Sequence, residues 1–355
     1  MVKVALAGAT GGLGAIILSA ILDTRKHQVV ALSRSPNPSL TAKGVDVRPV
    51  SYTDHASLTA ALRGVHTVLS VIAQEAGVKQ FAPSEYAIRD NGDWDFYAGK
   101  IPVWEATKAS GMEYTQFTCG IFMNTLGTGT PNGETEALGG LRPWTFVINM
   151  KAGTADLPGD GNSKVTFTRT QDIGKFVAAA LDLEKWEDEM GMVGSTMSYN
   201  EVVTAIEKVT RRKMLRKETP EEELKKMIRE DEGAKFYNQV RLSIAQVGAP
   251  VEPTLNKLAP EIKPWTVEQY LERYWSGVEL GEAAWAKGNI IIQANNERRG
   301  KAQYGDRLLC HGHSKTVESV QSAYRSPGKD LHSANRRIKL QSRRSRRKRR
   351  CASTL

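Results

Sequence analysis

The stretch VKVALAGATGGLGAIILSAIL, Val2 to Leu22, places a short apolar run, a glycine-rich turn and a denser apolar run directly in series. Val2 to Gly8 reads as a β-strand ending in glycine, and Leu13 to Leu22 has the apolar density of a buried helix instead of strand alternation. Gly8, Gly11 and Gly14 follow a GxxGxxG spacing across the join. The first glycine permits a tight turn, the second lets backbone approach a pyrophosphate, and the third allows the helix to pack closely on the strand. The helix N-terminus adds free N–H groups and a positive dipole end. Glycine-rich turns are also common as purely structural devices. The strand-to-helix context here points to a dinucleotide site formed by Gly8, Thr10, Gly11, Gly12, Leu13 and Gly14.

The alternation of strand and helix continues. Gln28 to Ser33 and Val45 to Val50 read as strands, His55 to Gly64 as a helix, and Thr67 to Ile72 and Val78 to Pro83 as strands. Ile101 to Ser110 reads as a helix and Glu113 to Gly120 as a strand. This predicts an α/β fold, a Rossmann-type doubly wound parallel sheet over residues 1–125 with helices on both faces. Farther on, Gly127 to Gly140 is a loop by composition and Lys164 to Thr168 a strand. Asp172 to Leu183 reads as a helix, N-capped by Asp172, that returns to the first domain. Ser198 is placed to cap the helix YNEVVTAIEKVT, with Glu201 at the capping-box position. PEEELKKMIRE and WTVEQYLERYW read as amphipathic helices, so residues 126–288 are expected to form a smaller, mainly helical substrate domain.

One connection does not fit this plan. Between TVLSVI and VKQFAP stand only the five residues AQEAG. A parallel crossover takes a dozen or more residues, usually a helix, because the chain must return the full strand length over one face of the sheet. AQEAG, fully extended with its flanking bonds, reaches about 18–20 Å, close to the length of a six-residue strand, with no path left to clear the side chains. Either part of an ordinary connection is absent, or the sheet is reorganised.

The net charge of +10 suggests an acidic partner only until it is divided along the chain. Residues 1–297 carry 32 Lys/Arg against 36 Asp/Glu, and residues 298–355 carry 17 against 3. The basicity belongs to the tail, 289–355, which has no sustained apolar period and is expected to be disordered. Its run RRIKLQSRRSRRKRR could neutralise phosphates, but a nucleic-acid or nuclear-import reading rests on charge alone, without interleaved aromatics. Cys310, His311 and His313 are too few for a closed zinc site, and no metal is expected. Cys119, Cys310 and Cys351 make no disulfide framework, and no apolar stretch approaches the roughly 18 residues of a membrane helix. A soluble protein of a reducing compartment is expected, cytoplasmic, or nuclear through its tail.

At the end of the second strand, where an NAD-preferring site carries Asp or Glu, this chain has Ser33 and Arg34. A carboxylate there would repel a 2′-phosphate, whereas an arginine offers it paired donors, so NADPH is favoured over NADH. Lys43 either adds to this charge or is a solvated surface lysine.

Taken in order, GATGGLG, SRSP, GVKQFAPSEYA, the lysine of YAGKIPVWEA, EYTQFTCGIFMN, LPGDGNSKVTFTRTQDIGKFVAAAL and YNEVVTAIEKV resemble the NmrA-like/isoflavone reductase-like family of atypical short-chain dehydrogenases. The resemblance covers about residues 1–288. It implies an NADPH-dependent oxidoreductase that reduces a small aromatic molecule, with Lys100 as acid/base. Residue type alone would make Lys100 a surface lysine at a helix start. Tyr97 stands three residues before it, where the common Tyr/Lys pair is spaced by four. Ser84, Glu85 and Tyr86 match the family's cofactor-side turn at the end of the fifth strand, or else Glu85 anchors that turn's backbone N–H groups. Phe122, Met123 and Asn124 would line the way to the substrate, or belong to the core. Relatives in this family carry a glycine-rich loop and most of a helix where AQEAG stands, which implies damage on the nicotinamide side. The family also includes redox-responsive regulators. The alternatives are therefore a non-catalytic sensor with a protein partner, or a chain impaired by its missing segment.

Overall fold

The computed structural model describes residues 1–69, 77–88, 98 and 100–285. The first part of the chain folds as β1 (Lys3–Ala7), α1 (Gly12–Thr24), β2 (Gln28–Ser33), α2 (Pro38–Thr41), β3 (Asp46–Pro49), α3 (His55–Ala61), β4 (Thr67–Leu69), β5 (Gln80–Ala82), α4 (Ile101–Ala109), β6 (Glu113–Tyr114) and β7 (Gln116–Thr118). Strands β1 to β6 form one parallel sheet in the order β3-β2-β1-β4-β5-β6. The order reverses between β1 and β4, the arrangement that opens a ligand crevice at the C-terminal ends of the strands.

Successive residues of a strand point to opposite faces. Val4, Leu6, Val29 and Ala31 accordingly pack with Ile17 and Ile21 of α1. Ala5, Val30 and Leu32 pack on the other face with Leu58 of α3 and with Leu62. Both faces are covered, which is why these strands read as continuous apolar runs.

The connection that looked too short joins two parallel neighbours after all, with Thr67 opposite Gln80 and Leu69 opposite Ala82. Of VKQFAP only Gln80–Ala82 pair, so β5 is shorter than its apolar character suggested; of TVLSVI the described residues Thr67–Leu69 form β4. The expectation of an abnormally short crossover at AQEAG falls on residues 70–76, which lie outside the described residues.

A second correction concerns EYTQFTCG, which is not one strand. β6 pairs with β5, and once β5 ends at Ala82 the following β7 pairs in parallel with β12 (Glu189–Gly191) instead. Thr115 between them still donates its N–H to the Phe81 carbonyl at 3.2 Å.

The rest of the chain forms β8 (Ile121–Phe122), a 3-10 turn at Met123–Gly127, α5 (Glu134–Leu138), β9 (Ile148–Asn149), β10 (Thr154–Pro158), β11 (Lys164–Thr168), α6 (Thr170–Ala180), β12, β13 (Ser195–Ser198), α7 (Tyr199–Thr210), β14 (Leu215–Thr219), α8 (Glu221–Glu230), α9 (Lys235–Val247), α10 (Thr254–Leu258) and α11 (Val267–Trp275). The helices are accompanied by two three-stranded sheets, β14-β10-β9 and β13-β11-β8. Strand β14 escaped the sequence reading because LRKET exposes all but Thr219 and so has no apolar period. The stretch expected to be loop, Gly127 to Gly140, contains α5.

Ser198 and Glu201 form the expected capping box of α7, with Ser198 Oγ accepting from the Glu201 N–H at 3.2 Å and Glu201 accepting from the Ser198 N–H at 2.7 Å. Asp172 is not a cap: α6 starts at Thr170 after Arg169, and Asp172 lies buried in its first turn. Phe146, Phe167, Tyr199 and Trp275 share a core of their own. Ile173, Phe176 and Val177 of α6 instead join the core of β1 and α1. Tyr97, the basic tail and its Cys310, His311 and His313 lie outside the described residues. Among the described residues no helix is long and apolar enough to cross a membrane.

Candidate functional site

The glycine-rich turn links the C-terminal end of β1 to the first turn of α1. Gly8 is exposed with φ +75, and a Cβ added to Gly14 would lie 2.2 Å from the Gly8 carbonyl oxygen. That contact presses α1 onto the strand end. Gly11 is the N-cap of α1 and offers no side chain to cap it, and the first turn holds no acidic residue. A Cβ on Gly11 would meet nothing within 4 Å. The space over the helix N-terminus is therefore open, and its orphan N–H groups suit an anion. Thr10 is exposed beside it, and Gly12 and Leu13 are partly buried. These residues fit a dinucleotide pyrophosphate.

One neighbour of this turn went unread in the sequence. Gly140, at φ +79, packs so closely that a Cβ there would lie 2.8 Å from the Gly12 carbonyl oxygen. The paired glycines of ALGGL were the available signal, but nothing local says which turn they face.

Arg34 is exposed just past the end of β2. Tyr52 donates its hydroxyl proton to the Leu32 carbonyl at 3.2 Å. Burial raises the pKa of that hydroxyl, and the positive charge of Arg34 opposes the rise, so the guanidinium lies within electrostatic reach of the β2 end. Lys43 is exposed.

Lys100 occupies the N-cap position of α4, and Pro102 in the first turn suits the helix start, where no intrahelical N–H bond is lost. It is not a surface lysine: it is 7% exposed. Its ammonium donates to the Ser84 carbonyl at 2.8 Å and to Glu85 Oε2 at 3.0 Å. Glu85 is 2% exposed, so the pair is shielded from water on both sides. Residues from the ends of β1, β2 and β5 thus share one edge of the sheet, and Ser84 and Glu85 meet Lys100 there. Tyr86 stacks on Phe117 at 5.8 Å between ring centroids, and burial pushes the ionisation of its hydroxyl upward.

Met123 and Asn124 belong to the scaffold. Met123 is fully buried in the Phe167 core. Asn124 accepts from the Thr170 N–H at 2.8 Å and donates to the Ala137 carbonyl at 2.6 Å, tying the start of α6 to α5. Phe122 is partly buried against the β1 core. Two surface clefts lie away from the sheet edge just described: one at the opposite, N-terminal ends of the strands around His66, Lys79 and Glu113, the other between α7 and α11. Among the described residues no group of three or more His, Cys, Asp or Glu could hold a metal ion.

A parallel sheet in this order, with an open glycine turn at the C-terminal end of its first strand, defines a dinucleotide-binding α/β protein of the Rossmann type. The model of the NmrA-like family matches residues 2–271, and the chain belongs to that family. It is 30% identical over 236 residues to the oxidoreductase BOA1 of Botryotinia fuckeliana, covering 59% of this chain and 76% of that protein. It is 28% identical over 319 residues to the isoflavone reductase homolog IRL of Zea mays, covering 77% of this chain and 98% of that protein. Those 319 residues exceed what 77% of a 355-residue chain supplies, so part of the Zea mays protein has no counterpart here. Among solved structures, AtPrR2 with NADP+ and (+)-pinoresinol superposes with a TM-score of 0.61 at 22% identity, over 76% of this chain and 98% of that one.

Proposed function

We propose that this chain is an NADP-dependent oxidoreductase of a small aromatic molecule, with residues 1–125 holding the nucleotide, residues 126–288 shaping the substrate side and Lys100 as acid/base. The observation that carries the reading is the open Gly8 to Gly14 turn on the same sheet edge as the buried Lys100. The names of the relatives, an oxidoreductase and an isoflavone reductase homolog, and a solved neighbour with NADP+ and (+)-pinoresinol support the reaction class. Scattered cysteines, with Cys119 buried, suit a reducing, cytoplasmic setting.

In this reading Gly8, Thr10, Gly11, Gly12, Leu13 and Gly14 hold the pyrophosphate on the α1 N-terminus. Arg34 holds the 2′-phosphate through paired donors, which favours NADP over NAD. The bound nucleotide supplies hydride. Ser84 and Glu85 keep the Lys100 ammonium at the end of β5, where it passes a proton to the substrate oxygen in surroundings that strengthen each charge interaction.

A second reading, a chain that lacks part of the relatives' β4-to-β5 connection and is impaired at the nicotinamide end, rests on the five residues AQEAG between the two apolar runs. Calorimetric titration with NADPH and NADH, followed by NADPH oxidation with (+)-pinoresinol as probe, separates the two. Micromolar binding that favours NADPH, with turnover, is expected. Binding without turnover favours the impaired chain, and no binding of either nucleotide overturns both readings.

A further inference from the structure

We infer that Glu85 is a positioning residue that fixes the orientation of the Lys100 ammonium. The inference rests on the acid/base reading of Lys100 given above. Glu85 follows β5 and Lys100 opens α4, so the pair staples a strand end to a helix start 15 residues farther along the chain. The contact is 3.0 Å between side chains only 3% and 9% exposed. A second bond, from Nζ to the Ser84 carbonyl at 2.8 Å, acts on the same nitrogen. With two N–H directions held, rotation about the Cε–Nζ bond stops and the direction of the third is set. A free lysine head, on four rotatable bonds, has no such aim.

A buried ion pair is a poor device for stability alone, because apolar groups of the same volume commonly do as well. Its place therefore matters. It stands past the C-terminal end of β5, on the same sheet edge as the glycine-rich turn, where ligands of this architecture bind. Removing the negative charge while keeping the shape should leave the amine less well aimed.

The test uses the full chain saturated with NADPH. Acetylation of individual lysines by acetic anhydride is followed against pH by peptide mass spectrometry, and NADPH oxidation is followed with (+)-pinoresinol. In Glu85→Gln, Lys100, released from its ion pair, is expected to acetylate at least ten-fold faster at pH 8, and turnover to fall more than ten-fold at unchanged KM. Glu85→Asp keeps the charge but withdraws it by one methylene, so the labelling rate should stay near wild type while turnover falls. A Lys100 labelling curve in Glu85→Gln that matches wild type, in a protein with unchanged circular dichroism, overturns the inference. If Glu85→Gln does not fold, Glu85→Asp with both wild-type labelling and wild-type turnover overturns it. Lys100→Met separates the two layers. Unchanged oxidation in that variant sinks the acid/base reading, whereas abolished oxidation beside a wild-type-like Glu85→Gln sinks only the role of Glu85.

Discussion

Gly14 lies so close over Gly8 that a methyl group on its α-carbon would stand 2.2 Å from the Gly8 carbonyl oxygen, with backbone on both sides of the contact. Neither partner can step aside as a flexible side chain would. Gly14→Ala is expected to destabilise the fold by about 1–3 kcal/mol as an overpacked site, read as a lower midpoint of thermal unfolding. Gly11 provides the contrast, because its Cβ would enter open space. Gly11→Val should lose only about 1 kcal/mol through poorer capping, yet weaken NADPH binding at least ten-fold by filling the approach to the helix N-terminus. Equal loss of binding and stability in both variants would contradict the division.

Arg34 stands exposed past the end of β2 in the place where a carboxylate would select NAD. Arg34→Asp is expected to weaken NADPH binding at least ten-fold, about 1.4 kcal/mol, and to leave NADH binding equal or better. Calorimetry with the two nucleotides checks the sign, and a parallel loss for both would remove Arg34 from the 2′-phosphate site.

Asp172 is fully buried and accepts from Arg169 twice, at 3.1 and 2.8 Å, and from the Trp265 N–H at 3.0 Å. The Arg169 guanidinium also lies 3.9 Å from the Trp265 ring centroid. Asp172→Ala would strand a buried guanidinium and a buried N–H, a loss of about 3–5 kcal/mol. Urea unfolding should show a lower midpoint at an unchanged slope.

Acid should loosen this protein first through two histidines. Burial holds both His27 and His66 below the ordinary imidazole value of 6.5. For His27, Asp182 opposes this and Lys26 adds to it; for His66, Lys79 adds and Glu113 opposes. As pH falls below 6.5 the unfolded chain takes up protons that the folded chain resists, so the stabilisation present above that value is lost. Hydrogen bonding, to Lys164 for Glu201 and to Asn162 for Asp160, holds these carboxylates below their ordinary values of 4.5 and 3.8, so their stabilisation is lost only at lower pH. The unfolding midpoint should therefore drop between about pH 7 and about pH 5, and His27→Gln should flatten that part of the curve.

The parts of this molecule that were legible early are those decided within a few residues. The Gly8 to Gly14 turn, the apolar runs of β1 and β2, and the Ser198/Glu201 capping box each depend on neighbours in the chain, so residue type and spacing suffice. The length of β5 was not legible. Val78 is as apolar as a strand requires, yet β5 begins only at Gln80, because pairing determines where a ladder starts. The strand β14 carries no pattern because four successive residues, on both of its faces, are exposed.

By itself the sequence determined the alternating α/β plan, the position of the dinucleotide turn and the absence of a carboxylate at Arg34, all consequences of local propensity and local chemistry. The tertiary structure alone decided that Glu85 meets Lys100, that Asp172 is buried beneath Arg169 and Trp265 instead of capping a helix, and that Gly140 faces Gly12. Each of these joins residues distant in sequence. Such contacts are selected by how the packed elements exclude water and satisfy buried charge, and that selection is made only when the elements come together.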